Sequence, residues 1–308
     1  MNIRVACIIL VASWLSWKCT GKAENESGNA NSITILATTG MIADVVKNIV
    51  GDSAKIITLM GPGVDPHLYK ATQGDLKKLR EADVIFYNGL HLEGKMSELF
   101  IKLQRQKDVI AVADGIEKTK LHLMDADAGI YDPHIWFDVS LWRDAANHIN
   151  TSLCKLYPEQ KKLFTENSKH YLNKMDSLHQ QVIKIINEIP EKQRVLITAH
   201  DAFGYFGTAY QIEVRGLQGI STMSDYGLKD ISDLVEFIIE RNIKAIFMET
   251  SVSDRSINAV IEGCNERGHD VVIGGSLYSD AMGSKDTFEG TYIGMVSSNV
   301  EKIVNALK

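Results

Sequence analysis

Apolar side chains at Met41, Ile42, Val45, Val46 and Ile49 recur every three or four positions, the spacing of one helix face. The stretch before them, "SITILATTG", is a β-branched run that ends in Gly40 and reads as a strand. The alternation continues with "AKIITLM" as strand, "GDLKKLREA" as helix and "DVIFYNG" as strand, then "KMSELFIKLQR" as helix and "DVIAVADG" as strand. Such alternation predicts parallel βαβ units. Residues 159–189 break the rhythm. They hold no glycine or proline, and Phe164, Tyr171, Met175, Leu178, Val182, Ile185 and Ile189 are mostly three or four apart. Pro158 stands where a helix can begin and Pro190 just past its expected end. A helix over 159–189 would be a rod of about 46 Å, longer than most in globular proteins. A coiled-coil partner is one explanation and a rod spanning two lobes is another. The second is favoured, because alternation resumes in "RVLITAH", "AFGYFGTAYQ", "IEVRGL", "LKDISDLVEFIIERN", "KAIFMET", "DRSINAVIEGCNERG", "DVVIGG" and "YIGMVSSNVEKIVNALK".

The expected class is α/β, with two (β/α) lobes of parallel sheets joined by a single long helix. The expected division is a signal or anchor segment over 1–19, a flexible tether over 20–32 and an N-terminal α/β lobe over 33–157. An interlobe backbone helix over 158–190 and a C-terminal α/β lobe over 191–308 complete it. With 45% hydrophobic and 23% charged residues, the chain has the composition of a soluble globular protein and not of a disordered one. The leader differs. "MNIRVACIILVASWLSWKC" places Arg4 before an apolar run from Val5 to Trp17, shorter than the about 20 residues of a membrane-spanning helix. It reads as a secretory signal, followed by the polar tether "TGKAENESGNANS". The expected location is the periplasm or the outer face of the cytoplasmic membrane. Cys19 at the end of the leader suggests lipid anchoring, whereas Trp17 and Lys18 occupy positions where small residues normally precede such a cysteine. A cleaved signal or an uncleaved anchor is the alternative. The net charge of −6 is diffuse, and no basic cluster points to nucleic acid. Beyond the leader, Cys154 and Cys264 read as two buried thiols, with a disulfide the alternative.

Candidate chemistry comes from a repeated tripeptide. "GPGVDPHLYK" and "YDPHIWFDVS" both contain Asp-Pro-His, in a chain of only five prolines. Ligands of parallel α/β sheets bind beyond the carboxyl ends of the strands. His67 follows "ITLM", His200 ends "RVLITAH", Asp280 follows "DVVIGGSLYS", and His134 lies at the closing edge of the first half. Three imidazoles and one carboxylate suit a divalent transition metal. Proline before His67 and His134 restrains the backbone, so a ligand there loses less freedom on binding. One such copy would be an ordinary turn with a surface histidine; two, together with His200 and Asp280, point to a site. Glu249, at the end of "KAIFMET", is either an orienting partner for an imidazole or a charge before a helix. Asp65, Asp132 and Asp201 adjoin candidate ligands but are expected to point elsewhere. His91, His122, His148, His170, His179 and His269 have no evident partners, and His170 and His179 are expected to be solvated on the long helix.

The segments "MGPGVDPHLY", "EADVIFYNGLHLE", "DPHIWFDVSLW", "LITAHDAFGYF", "GLQGIST" and "SLYSDAMG" followed by "EGTYIGM" occur in order. Together they resemble the zinc and manganese solute-binding receptors of bacterial ABC importers, from about Ile33 to Lys308. The resemblance implies a metal buried between two lobes on one backbone helix, held by His67, His134, His200 and Asp280. It implies one ion per chain, Zn2+ or Mn2+, delivered by a monomer to a membrane permease with its ATPase, and no catalysis. Zinc-dedicated relatives often carry a long His-rich loop before the second ligand. Here "EKTKLHLMDADAGIYDPH" is short, with only His122 before His134. Many manganese-dedicated relatives have a carboxylate where His200 stands. The chain therefore resembles the group that takes either metal. A secreted zinc-dependent hydrolase is the rival, but it would need an open coordination position, and neither His-Glu-x-x-His nor Gly-x-Ser-x-Gly occurs. A surface adhesin is the third reading, and no motif supports it.

Overall fold

The computed structural model describes residues 33–308, so the expected leader, the tether and Cys19 lie outside the described residues. The first lobe begins with β1 (Ile33–Ala37), α1 (Gly40–Val50), β2 (Ala54–Thr58), α2 (Gln73–Glu81), β3 (Val84–Tyr87), α3 (Ser97–Leu103) and β4 (Asp108–Ala111). The four strands form one parallel sheet in the order β2-β1-β3-β4. Its central strand is buried on both faces. Ile35 joins the core shared with α1, while Leu36 joins a second cluster with Leu79, Ile85 and Phe100. Helix α1 buries Met41, Ile42, Val45, Val46 and Ile49, the face that their spacing predicts. Helix α2 starts at a reciprocal cap in which Thr72 and Asp75 satisfy each other's backbone N–H groups.

The segment before the second Asp-Pro-His is not a plain loop. It forms an antiparallel hairpin of β5 (Leu123–Asp125) and β6 (Ile130–Tyr131). Asp125 accepts from the N–H groups of Asp127 and Ala128, and Gly129 adopts positive φ to close the turn. Leu123, Met124 and Ile130 remain exposed, so no buried face gives the hairpin a periodic signal.

Helix α4 (Val139–Leu156) starts at Asp138, whose carboxylate accepts from the N–H groups of Ser140 and Leu141. After a tight turn at Pro158–Gln160 comes α5 (Lys161–Ile186), a rod of about 39 Å. It is shorter than its predicted span of 159–189 because the first residues form that turn and the last three coil before Pro190. Its apolar face is covered by α1, α4 and the C-terminal helix of the same chain, which fills the role a coiled-coil partner would have.

The second lobe runs through β7 (Val195–His200), α6 (Gly204–Tyr210), β8 (Glu213–Gln218), α7 (Leu228–Glu240), β9 (Ala245–Glu249), α8 (Arg255–Glu266), β10 (Val272–Leu277) and α9 (Tyr292–Leu307). Strand β7 pairs in parallel with β8, and β9 with β10; β7 and β9 pack side by side. Val195, Ile197 and Ala199 of β7 share a core with Ile246 of β9 and with Leu234 and Ile257 of the covering helices. Among the described residues no helix is long and apolar enough to cross a membrane.

Candidate metal centre

Both Asp-Pro-His copies fold by the same local rule. The aspartate carboxylate accepts from the histidine N–H two residues on, at 2.8 Å for Asp65 to His67 and 2.9 Å for Asp132 to His134. Proline in between offers no N–H to compete. These turns place His67 and His134 opposite His200, the last residue of β7, and Asp280, just beyond β10. One ligand atom from each of the four lies within 4.8 Å of the others. All four are buried, with His67 the most exposed at 3%.

The imidazoles converge through Nε2. The Nε2 atoms of His67 and His134 are 3.3 Å apart. Nε2 of His134 is 3.4 Å from Oδ1 of Asp280, and Nε2 of His200 is 3.3 Å from Oδ2. The two approaches to Asp280 do not meet hydrogen-bond geometry. Nε2 of His200 and both carboxylate oxygens of Asp280 are buried with no hydrogen-bond partner among the described residues. Buried polar atoms left unpaired are rare and costly. A single cation among them would engage these lone pairs, and three nitrogens with one carboxylate form a donor set suited to zinc and its neighbours.

The rear nitrogens are held by acids. Nδ1 of His200 lies 2.5 Å from Oε2 of Glu249, whose other oxygen accepts from the His200 N–H at 2.8 Å. Helix α8 starts only at Arg255, so Glu249 is a partner of His200 and not a helix-terminal charge. Nδ1 of His134 lies 2.7 Å from Oδ1 of Asp132. Here the sequence expectation is corrected, since Asp132 faces the ligand it adjoins. The Asx turn brings the carboxylate over the ring as well as the backbone, a consequence readable from Asp-Pro-His itself. Asp65 differs: its free oxygen accepts from Thr222 Oγ1 at 2.6 Å, across the cleft. Asp201 makes no hydrogen bond to a ligand imidazole among the described residues.

The acids set the protonation of the site. Burial pushes the His67 imidazole down to about 4, with Asp280 opposing. For His134 burial again disfavours the charge, but Asp132 and Asp280 outweigh it and lift the group to about 9. His200 is raised well above its ordinary value because Glu249 and Asp280 together overcome burial. Burial would raise Asp280, yet His200 and His134 hold it well below the usual carboxylate range.

The remaining histidines lie apart from the cluster. His170 is exposed, as expected. His179 is half-buried and meets the Tyr210 hydroxyl at 3.1 Å, where solvation was expected. His122 stacks on Tyr205 with ring centroids 4.1 Å apart. Cys264 is buried and Cys154 half-buried, and both are free.

The ZnuA family, periplasmic component A of the zinc-uptake complex, matches residues 35–306. The chain is 49% identical over 300 residues to the manganese-binding lipoprotein MntA of Bacillus subtilis, spanning 97% of each chain. It is 44% identical over 305 residues to the zinc-binding protein TroA of Treponema pallidum, spanning 99% of this chain and 98% of that one. The solved structure of periplasmic TroA matches with a TM-score of 0.87 and 46% identity, over 90% of this chain and 99% of that one.

Proposed function

The chain belongs to the ZnuA family, and from that premise we propose that it is an extracytoplasmic receptor for one divalent transition metal ion. Zn2+ or Mn2+ is the cargo, and the membrane permease of an ATP-driven importer is the recipient. His67, His134, His200 and Asp280 hold the ion. The observation that carries this reading is the convergence of four buried donors, three of whose atoms have no other partner among the described residues. The names of MntA and TroA, manganese-binding and zinc-binding, mark the two cargoes to compare. Nitrogen-rich coordination favours Zn2+ over Mn2+ in intrinsic affinity, so supply and geometry decide which ion is carried. A hydrolase would keep a coordination position open to water. Four protein donors closed off from solvent favour capture instead.

Residues 33–157 and 191–308 act as the lobes and 158–190 as the backbone between them. The receptor works as a monomer, and Cys19 is the residue that would carry a lipid, as the lipoprotein name of MntA suggests. The test is metal content by mass spectrometry. Wild type, His67→Ala and Asp280→Ala are stripped and reloaded from equimolar Zn2+ and Mn2+. One ion per chain in the wild type, lost or sharply weakened in both variants, is expected. Equal substoichiometric traces in all three would sink the site.

A further inference from the structure

The segment that carries His134 is gripped from the far side of the cleft. It leads into α4 of the first lobe, which holds it through Asn88 Nδ2 donating to the Pro133 carbonyl at 2.9 Å. The second lobe holds it at more points. The Tyr205 hydroxyl of α6 donates to the Asp132 carbonyl at 2.9 Å. The Tyr292 hydroxyl, at the start of α9, donates to the Trp136 carbonyl at 2.8 Å. The indole Nε1 of Trp136 in turn donates to the Ser279 carbonyl at 3.0 Å, one residue before Asp280. Trp136 also meets the His134 ring edge-on, with centroids 5.3 Å apart at 71°. All three aromatic side chains are buried. His67 sits otherwise, on an exposed glycine-containing loop whose hydrogen bond to the second lobe, among the described residues, is the one between Asp65 and Thr222.

We propose that Trp136, Tyr205 and Tyr292 are positioning residues that lock His134 to His200 and Asp280, and that this lock sets how fast a bound ion escapes. The inference rests on the metal-receptor reading above. An ion held by four ligands leaves when the ligands spread apart. The Asp280 segment is already fixed within its own lobe, because Asn299 bonds both the N–H and the carbonyl of Tyr278. His134 can therefore part from Asp280 and His200 only by breaking hydrogen bonds in a region closed to water. A buried hydrogen bond broken without replacement leaves its acceptor unsatisfied, which is the expensive outcome. Chain connectivity assigns His134 to the first lobe; these bonds make it move with the second.

The test loads the protein with Zn2+ and follows release into excess chelator by stopped flow. Tyr205→Phe and Tyr292→Phe remove one hydroxyl each and keep the ring; Trp136→Phe removes the indole N–H. Asn167→Ala is the control, because it deletes a side-chain bond to the Ile49 carbonyl at the end of α1, outside the lock. Each tyrosine variant is expected to keep one ion per chain, with an unchanged on-rate and an off-rate about fivefold to tenfold higher. The control is expected to lower the melting temperature and leave the off-rate at the wild-type value. Tyrosine variants that bind one ion and release it within twofold of the wild-type rate would overturn the lock and leave the receptor reading standing. An equal acceleration in Asn167→Ala would overturn it too, as general softening. A wild type that binds no Zn2+ would remove the receptor reading, and the lock with it. If Trp136→Phe does not fold, the tyrosine variants decide.

Discussion

Raising the pH from 6 to 8 is expected to strengthen metal binding more than a hundredfold, because the metal-free cluster holds protons where the ion must sit. Asp132 and Asp280 lift His134 to about 9, and Glu249 and Asp280 hold His200 well above its ordinary value. Both imidazoles are therefore charged at neutral pH in the absence of metal. Their Nδ1 protons are committed to Asp132 and Glu249. The protons that leave are those on Nε2, facing Asp280. His67, lowered to about 4, is already bare and releases nothing. At neutral pH binding then expels two protons from the coupled pair, and the logarithm of the affinity rises there by about two per pH unit. The His134 proton alone gives about 2.7 kcal/mol over the two units, at about 1.4 kcal/mol per tenfold, and the His200 proton adds to it. The His134 contribution to the slope fades as pH passes about 9, and His67 adds to the slope only below about 4. Calorimetric titration with Zn2+ in buffers of different ionisation enthalpy counts the protons directly. Chelator competition at pH 6, 7 and 8 gives the slope. Glu249→Gln removes the charge that holds the His200 proton, so its count at neutral pH should fall toward one. A wild-type count of zero or one would refute the reasoning, since it would mean that burial and not the acids governs His134 and His200.

Other outcomes rest on the same geometry. Asp132→Asn is expected to weaken metal affinity about 10- to 100-fold at neutral pH with one ion still bound at saturation, read by chelator competition. Phe164→Ala, at a fully buried position where α5 meets the core, should cost about 3–5 kcal/mol in urea unfolding of the metal-free protein. Because α5 is an unbroken helix packed on α1, α4 and α9, solution scattering should show little change in radius of gyration between metal-free and loaded protein. A change of several ångströms would place a hinge in that helix.

The parallel sheets and covering helices were legible because apolar spacing is dense there. The α1 face, β7 and the α5 rod each carry a pattern that burial confirms. The β5–β6 hairpin was not, since its apolar residues face outward and its turn depends on Asp125 and Gly129. The ends of α5 were overestimated because a 3.6-residue period runs on into turns that pack on the same side, as Ile189 does. The converging side chains were legible from topology: His67, His200 and Asp280 each stand at or just beyond the carboxyl end of a parallel strand, where such sheets bind ligands. The acids behind them were harder. Glu249 sits on the strand beside His200, and nothing in its sequence neighbourhood separates that role from a helix-terminal charge.

The doubled Asp-Pro-His marks the limit of local pattern. Both copies build the same turn and deliver a histidine with the same backbone restraint. Their electrostatics diverge because the spare face of each aspartate meets a different neighbour. Asp132 turns onto the His134 ring and, with Asp280, keeps that imidazole charged until metal arrives. Asp65 spends its second oxygen on Thr222 across the cleft, and burial leaves His67 neutral. A neutral imidazole offers its lone pair without first losing a proton, so His67 can bind an incoming ion at any pH well above 4. His134 and His200 must exchange a proton for the ion, with acids behind them that make each a stronger donor once the proton has gone. One tripeptide thus supplies a ready ligand in one setting and a proton-linked ligand in the other. The difference lies in tertiary contacts 157 residues apart, which no local pattern encodes.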